Sequence, residues 1–154
     1  MRITGNFAGI CEPCSPGGFA AYGVVVKIDG VILWTDSAAV GHGHQVSTNI
    51  ARYRGAIALL KKLRELQTAN PEAHITMITD SATTIQELEG AWRGHVTDYK
   101  ALLDDAAELV TRFDGGLDLR YCARRDNLES HDLAKDVLRR AGMKFPDRFI
   151  RRAL

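Results

Sequence analysis

The sequence predicts an α/β fold, a five-stranded mixed sheet with helices packed on its faces. Three observations carry the prediction. The first third of the chain holds β-rich runs separated by turn signals, with Asp29-Gly30 joining two of them. The rest alternates short β-rich runs with stretches of helical apolar spacing. Hairpin-linked strands followed by β/α alternation build a sheet that starts antiparallel and continues parallel. The 154 residues, 45% hydrophobic and 25% charged, suit one folded domain with a real core and argue against disorder.

Taken in order, Ile3–Phe7 reads as a short strand, with Ile3, Gly5 and Phe7 on one face and Thr4, Asn6 and Ala8 on the other. The stretch from Gly9 to Gly18 carries Pro13, Pro16 and paired glycines and reads as a loop. Ala20–Ile28 and Val31–Asp36 form the hairpin around Asp29-Gly30, and Gly41–Gln45 is a His/Gly loop. Ser47, Thr48 or Asn49 caps a helix running to about Gln67, whose rows Ile50, Tyr53, Ile57, Leu60 and Ala56, Leu59, Leu63 give it a wide apolar face. His74–Thr79 is a strand with Asp80 at its C-terminal edge. Ala82–Glu89 is a short helix capped by Ser81, and Gly90–Gly94 is a break containing Trp92-Arg93. Val96–Phe113 is a long helix, Leu117–Ala123 the fifth strand, Arg124–Glu129 a polar loop and Ser130–Ala141 a helix stopped by Gly142. The order is β-β-β-α-β-α-α-β-α. Residues 1–142 make one domain, and residues 143–154 a basic tail that offers a docking segment or a self-association contact.

No apolar run approaches the roughly 18 residues a membrane span needs, and the N-terminal residues lack the apolar stretch of a signal peptide. Three cysteines, an odd number, fit a reducing compartment better than a disulfide framework. The expectation is a cytoplasmic protein. The formal net charge of +1 conceals a split: residues 1–118 hold 10 basic and 14 acidic side chains, or −4, and residues 119–154 hold 10 and 5, or +5. Such an asymmetry marks either an anionic partner or a solvated helix face with a loose basic tail.

The element order and four local motifs resemble type 1 ribonuclease H, most closely its short archaeal and bacterial forms. Phe7-Ala8-Gly9-Ile10-Cys11-Glu12-Pro13 followed by Ser15-Pro16-Gly17-Gly18 is similar to the family's first strand and glycine loop. Ser47-Thr48-Asn49-Ile50-Ala51-Arg52-Tyr53 resembles its Thr-Asn-Asn-x-Ala-Glu-Tyr helix start. Thr79-Asp80-Ser81, then Gly90-Ala91-Trp92-Arg93, resembles its Asp-Ser strand end and the aromatic-basic turn that follows. Asn127-Leu128-Glu129-Ser130-His131-Asp132-Leu133-Ala134 resembles its closing Asn-x-x-Ala-Asp-x-Leu-Ala. Each piece is weak alone, and four in order are specific for the fold.

The resemblance implies four carboxylates that bind two Mg²⁺ ions for hydrolysis of the RNA strand of an RNA/DNA hybrid. Carried over, those positions are Ala8, Arg52, Asp80 and His131, so one carboxylate of four remains. A formal charge near −4 becomes 0 with His131 neutral. Arg52 shares the inward stripe of its helix, and its fixed charge is expected to repel Mg²⁺ and to pair with Asp80. Asp132 lies with Lys135, Asp136, Arg139 and Arg140 on the outer face and is no replacement ligand. The expectation is a nucleic-acid-binding domain that is inactive by the two-metal route and needs no cofactor. Two alternatives stay open: an active ribonuclease H with a rearranged site and Mg²⁺ or Mn²⁺, and a protein-interaction module on the same scaffold.

For binding, the resemblance points to Gly9, Ser15, Thr48 and Asn49 at the minor groove and 2′-hydroxyls of a hybrid or double-stranded RNA. Trp92-Arg93 suits stacking and phosphate pairing, or else pins a loop to the core. Arg124 and Arg125 precede the last helix, beside the site. Cys11-x-x-Cys14 with His42 and His44 matches a zinc ligand set in type, though an incidental pairing is the simpler reading.

Overall fold

The computed structural model describes residues 1–90 and 98–143. Its strands are β1 (Arg2–Glu12), β2 (Phe19–Ile28), β3 (Val31–His42), β4 (His74–Thr79) and β5 (Asp118–Tyr121). Its helices are α1 (Thr48–Ala69), α2 (Ala82–Leu88), α3 (Lys100–Val110) and α4 (Leu128–Arg140), with a 3₁₀ turn at Arg124–Asp126. The sheet order is β3-β2-β1-β4-β5. The pairs β1·β2 and β2·β3 are antiparallel, and β1·β4 and β4·β5 are parallel, so the sheet is mixed as expected.

The Asp29-Gly30 turn closes the β2–β3 hairpin with φ of 48° and 84°. Two left-handed residues in succession are what a two-residue hairpin turn of type I′ needs to follow the twist of its strands. The Ser47 side chain accepts from Ile50 N at 3.2 Å and so caps α1.

Two apolar layers flank the sheet. On one face, α1 and α3 bury Ile3, Phe7, Val24, Val26 and Met77 against Tyr53, Ala56, Leu59, Leu60, Leu63 and Leu103. Leu59, Leu60 and Leu63 are fully buried, and each such leucine contributes roughly 1.5–3 kcal/mol. On the other face, α4 packs Ala134 and Leu138 on Ile10 and Ala21. Gly23 lets α4 approach, because a Cβ there would overlap the Ser130 carbonyl.

Several boundaries differ from the sequence reading. β1 continues through Gly9–Glu12, because those residues pair with Tyr22–Phe19 of β2. β3 likewise runs on to His42, opposite Phe19. In both places cross-strand pairing outweighs the local loop signal of Gly and Pro. β5 is shorter than Leu117–Ala123, and α3 ends at Val110 with Thr111 and Arg112 in a turn. The predicted start of that helix at Val96, the Trp92-Arg93 turn and the tail beyond Met143 lie outside the described residues. Among the described residues, no helix is long and apolar enough to cross a membrane.

Candidate functional site

The site lies where β1, the end of β4 and the starts of α1 and α4 meet. β1 and β4 run parallel with Asn6 opposite Ile78, so two residues on, Ala8 is level with Asp80. Gly9 sits against α1 so closely that a Cβ would lie 2.5 Å from Arg52 Cα and 2.7 Å from the Ala51 carbonyl carbon. That contact seats Arg52 beside β1. His131 in the first turns of α4 completes the group, with Nε2 3.0 Å from Asp80 Oδ2. The four positions picked out in the sequence thus converge.

Asp80 is already engaged. Its Oδ1 accepts from Asn127 Nδ2 at 2.9 Å and its Oδ2 faces His131. Burial works to raise its pKa, but the hydrogen bonds from His131 and Asn127 outweigh that and hold it down at about 2. An ionised Asp80 requires the proton on His131 Nε2. His131 Nδ1 and the neighbouring Ser130 Oγ are buried without a hydrogen-bond partner among the described residues.

The expected Arg52–Asp80 ion pair does not form. Arg52 Nη1 instead donates to Asn49 Oδ1, three residues earlier on the same helix, at 2.8 Å. Each Asp80 oxygen already has one partner, and Arg52 bonds within its own helix instead. Burial lowers the Arg52 pKa, and the charges of Asp80, then Tyr53 and Glu87, oppose that shift. Arg52 is therefore a largely buried cation close to Asp80.

Beside it, the buried carboxylate of Glu87 accepts from Tyr53 OH at 3.0 Å and Tyr99 OH at 2.7 Å. The two tyrosine rings stack at 5.3 Å. Burial, then bonding to Glu87, pushes the Tyr99 hydroxyl up to about 12. Glu87 was not among the candidate residues. An acid on a short helix reads as solvated, and only the packing of α2 on α3 turns it inward.

Asn127 was also missed as a site residue, although its motif was quoted. It is 2% exposed. It donates to Phe7 O and Asp80 Oδ1 and accepts from Asn6 Nδ2 at 3.1 Å, tying β1, β4 and α4 together. Its position in the polar loop, three residues before the predicted helix, was the available signal.

The other candidates are distributed around this centre. Ser15 Oγ accepts from Thr48 N at 2.8 Å, which docks the β1–β2 loop on the start of α1 and groups Ser15, Thr48 and Asn49. Arg124 and Arg125 are exposed in the 3₁₀ turn that leads into Asn127. Asp132 is exposed as expected, whereas Lys135, read on the same outer face, is buried where α4 packs on the sheet. Cys11 Sγ donates to Cys14 O, and His42 stacks on Phe19 at 5.3 Å. Among the described residues no group of three or more His, Cys, Asp or Glu side chains is arranged to hold a metal ion. The donors at the four family positions are one carboxylate with both oxygens engaged, one imidazole, one methyl and one guanidinium, a set that does not fit two Mg²⁺ ions.

This topology, with the site at the junction of β1, β4, α1 and α4, is a ribonuclease H-like fold of type 1. Solved structures of type 1 ribonuclease H domains share this fold. It is similar to the N-terminal ribonuclease H domain of Rv2228c from Mycobacterium tuberculosis, at 25% identity, 92% of this chain, 96% of that one and a TM-score of 0.76. It is similar to ribonuclease H1 of the halophilic archaeon Halobacterium salinarum, at 27% identity, 90% and 98% coverage and a TM-score of 0.73. The fold also matches a ribonuclease H1 from compost solved with an RNA/DNA hybrid, at 20% identity, 92% and 99% coverage and a TM-score of 0.79. No family model matches the chain.

Proposed function

We propose that this protein binds RNA/DNA hybrid or double-stranded RNA through the groove above Asp80, and does so without two-metal hydrolysis. The observation that carries the reading is a largely buried Arg52 guanidinium, bonded to Asn49, beside an Asp80 already bonded by His131 and Asn127. Where two divalent cations would need carboxylate oxygens, the chain supplies a fixed cation of its own, suited to a phosphate. Ser15, Thr48 and Asn49 sit together at the start of α1, where their hydroxyl and amide groups suit a sugar-phosphate backbone. Gly9 keeps β1 against α1 beneath them, and Arg124 and Arg125 add exposed positive charge before α4. Trp92 and Arg93 belong to the same reading on sequence grounds.

The test uses a labelled hybrid duplex with chelator present. Saturable binding is expected, falling with salt as phosphate contacts do and weakened about tenfold or more by Arg52→Glu. No hybrid cleavage is expected with Mg²⁺ or Mn²⁺, whereas the triple variant Ala8→Asp, Arg52→Glu, His131→Asp is expected to gain metal-dependent cleavage. Absence of binding at low salt would refute the binding reading. Metal-dependent cleavage by the unaltered chain, abolished by Asp80→Ala, would refute the inactive one.

A further inference from the structure

On the opposite side of α1 from Arg52 lies a groove of about 500 Å³ between that helix and the outer strand β3. Arg52 and Arg54 are two residues apart, or about 200° around a helix, so the two side chains serve different sides of α1. The groove floor is aliphatic, made by Ile57 and Ala58 of α1 with Ala39 and Val40 of β3. Arg54 and Lys61 stand on its α1 wall, both exposed, and neither makes an ion pair with a described residue. Asp36, on the same outer strand, is occupied by the Tyr22 hydroxyl at 2.9 Å. The groove is therefore apolar below and positively charged along one side, and β3 leaves it open at the sheet edge.

We infer that this groove is a docking site for an extended acidic segment of a partner protein, with two carboxylates three residues apart and aliphatic side chains between them. The spacing decides the pattern. Arg54 and Lys61 lie seven residues apart on one helical stripe, about 10.5 Å at 1.5 Å per residue. An extended chain in the polyproline II conformation has three residues per turn and a rise of about 3.1 Å, so residues three apart share one edge about 9 Å apart. Carboxylates at that interval meet both cations on the α1 wall, and an aliphatic residue between them, on the adjoining edge of the chain, lies over Ile57, Ala58 and Val40. A nucleic acid is the less suitable occupant. It gains little from an aliphatic floor and would call for exposed rings on which bases stack. Tyr22 is the ring in the lining, and it is half-buried with its hydroxyl engaged.

The probe is a fluorescein-labelled nonapeptide carrying two aspartates three residues apart, with leucine and isoleucine between them, titrated with the full chain and followed by anisotropy. Saturable binding that weakens with salt is expected. It should be lost with lysines in place of the aspartates and weakened about tenfold by Arg54→Glu with Lys61→Glu. Arg52→Glu should leave peptide binding unchanged, and the Arg54/Lys61 double variant should keep its affinity for hybrid duplex. Circular dichroism establishes that each variant is folded. Absence of peptide binding, or equal binding by the double variant, would overturn the inference. Two further outcomes would reassign the groove and overturn it as well. One is loss of hybrid affinity in the double variant, which points to nucleic acid. The other is a dimer in sedimentation that dissociates in the double variant, which points to a second copy of the chain.

Discussion

Replacing Asn127 by Ala tests whether the site is held together as a unit. The side chain is 2% exposed and makes three hydrogen bonds: to ionised Asp80, to the Phe7 carbonyl and from the Asn6 amide. A bond to a charged group is worth about 1.5–3 kcal/mol and a neutral one about 1, and the partners left behind have little solvent to replace them. The expected loss is about 3 kcal/mol, or a fall in Tm of roughly 6–12 °C for a domain of this size. Urea unfolding at pH 7 measures it, with Leu128→Ala as control, since Leu128 is 49% exposed and should change stability by less than about 0.5 kcal/mol. The loss should also depend on pH. Asp80 has a folded pKa of about 2, below the usual 3.8. Stabilisation of its ionised form is fully present above about pH 4 and disappears as pH falls through about 2. The gap between the variant and the parent should therefore narrow below pH 4. A loss under about 1 kcal/mol, or one independent of pH, would show that Asn127 does not organise the site.

Further expectations follow from neighbouring groups. The lowered Asp80 pKa is worth about 2 kcal/mol at neutral pH, so Asp80→Asn should flatten the acid limb of a stability–pH curve measured from pH 7 to 2. An unchanged limb would mean that other carboxylates set it. Tyr53→Phe removes a buried donor from Glu87 and should cost about 1–3 kcal/mol in denaturant titration, whereas a silent substitution would mean that the Tyr53 hydroxyl contributes nothing there. Gly9→Ala puts a methyl into the backbone of Ala51 and Arg52. It should cost about 1–3 kcal/mol and also weaken hybrid binding, because α1 and its phosphate-facing start must shift. Wild-type stability with unchanged binding would show that the contact is looser than the geometry states.

Much of the fold was legible in the sequence because local rules and the global structure agree there. Asp29-Gly30 admits a left-handed turn, Ser47 caps a helix, and the apolar rows of α1 match its buried face. The extensions of β1 and β3 were not legible. Gly9, Pro13 and Gly41 signal loops locally, and the pairing that overrides them joins residues far apart in the chain. The site divides in the same way. Ala8, Arg52, Asp80 and His131 were found by their place in motifs, but the partner of Arg52 was not, because it depends on where the side chain lies in the folded chain. Glu87 and Asn127 escaped because burial of a polar side chain is a property of packing and leaves no local mark.

The sequence by itself determined the element order, the hairpin, the capped central helix and the residues at positions 8, 52, 80 and 131. These follow from backbone preferences, periodicity and residue identity, which act within a few residues. The tertiary structure alone decided that Asp80 is bonded by His131 and Asn127, that Arg52 turns to Asn49, and that Arg54 and Lys61 face an aliphatic groove on the far side of α1. Those outcomes turn on distances between elements, on which polar groups lose their water, and on which neighbour reaches an acceptor first.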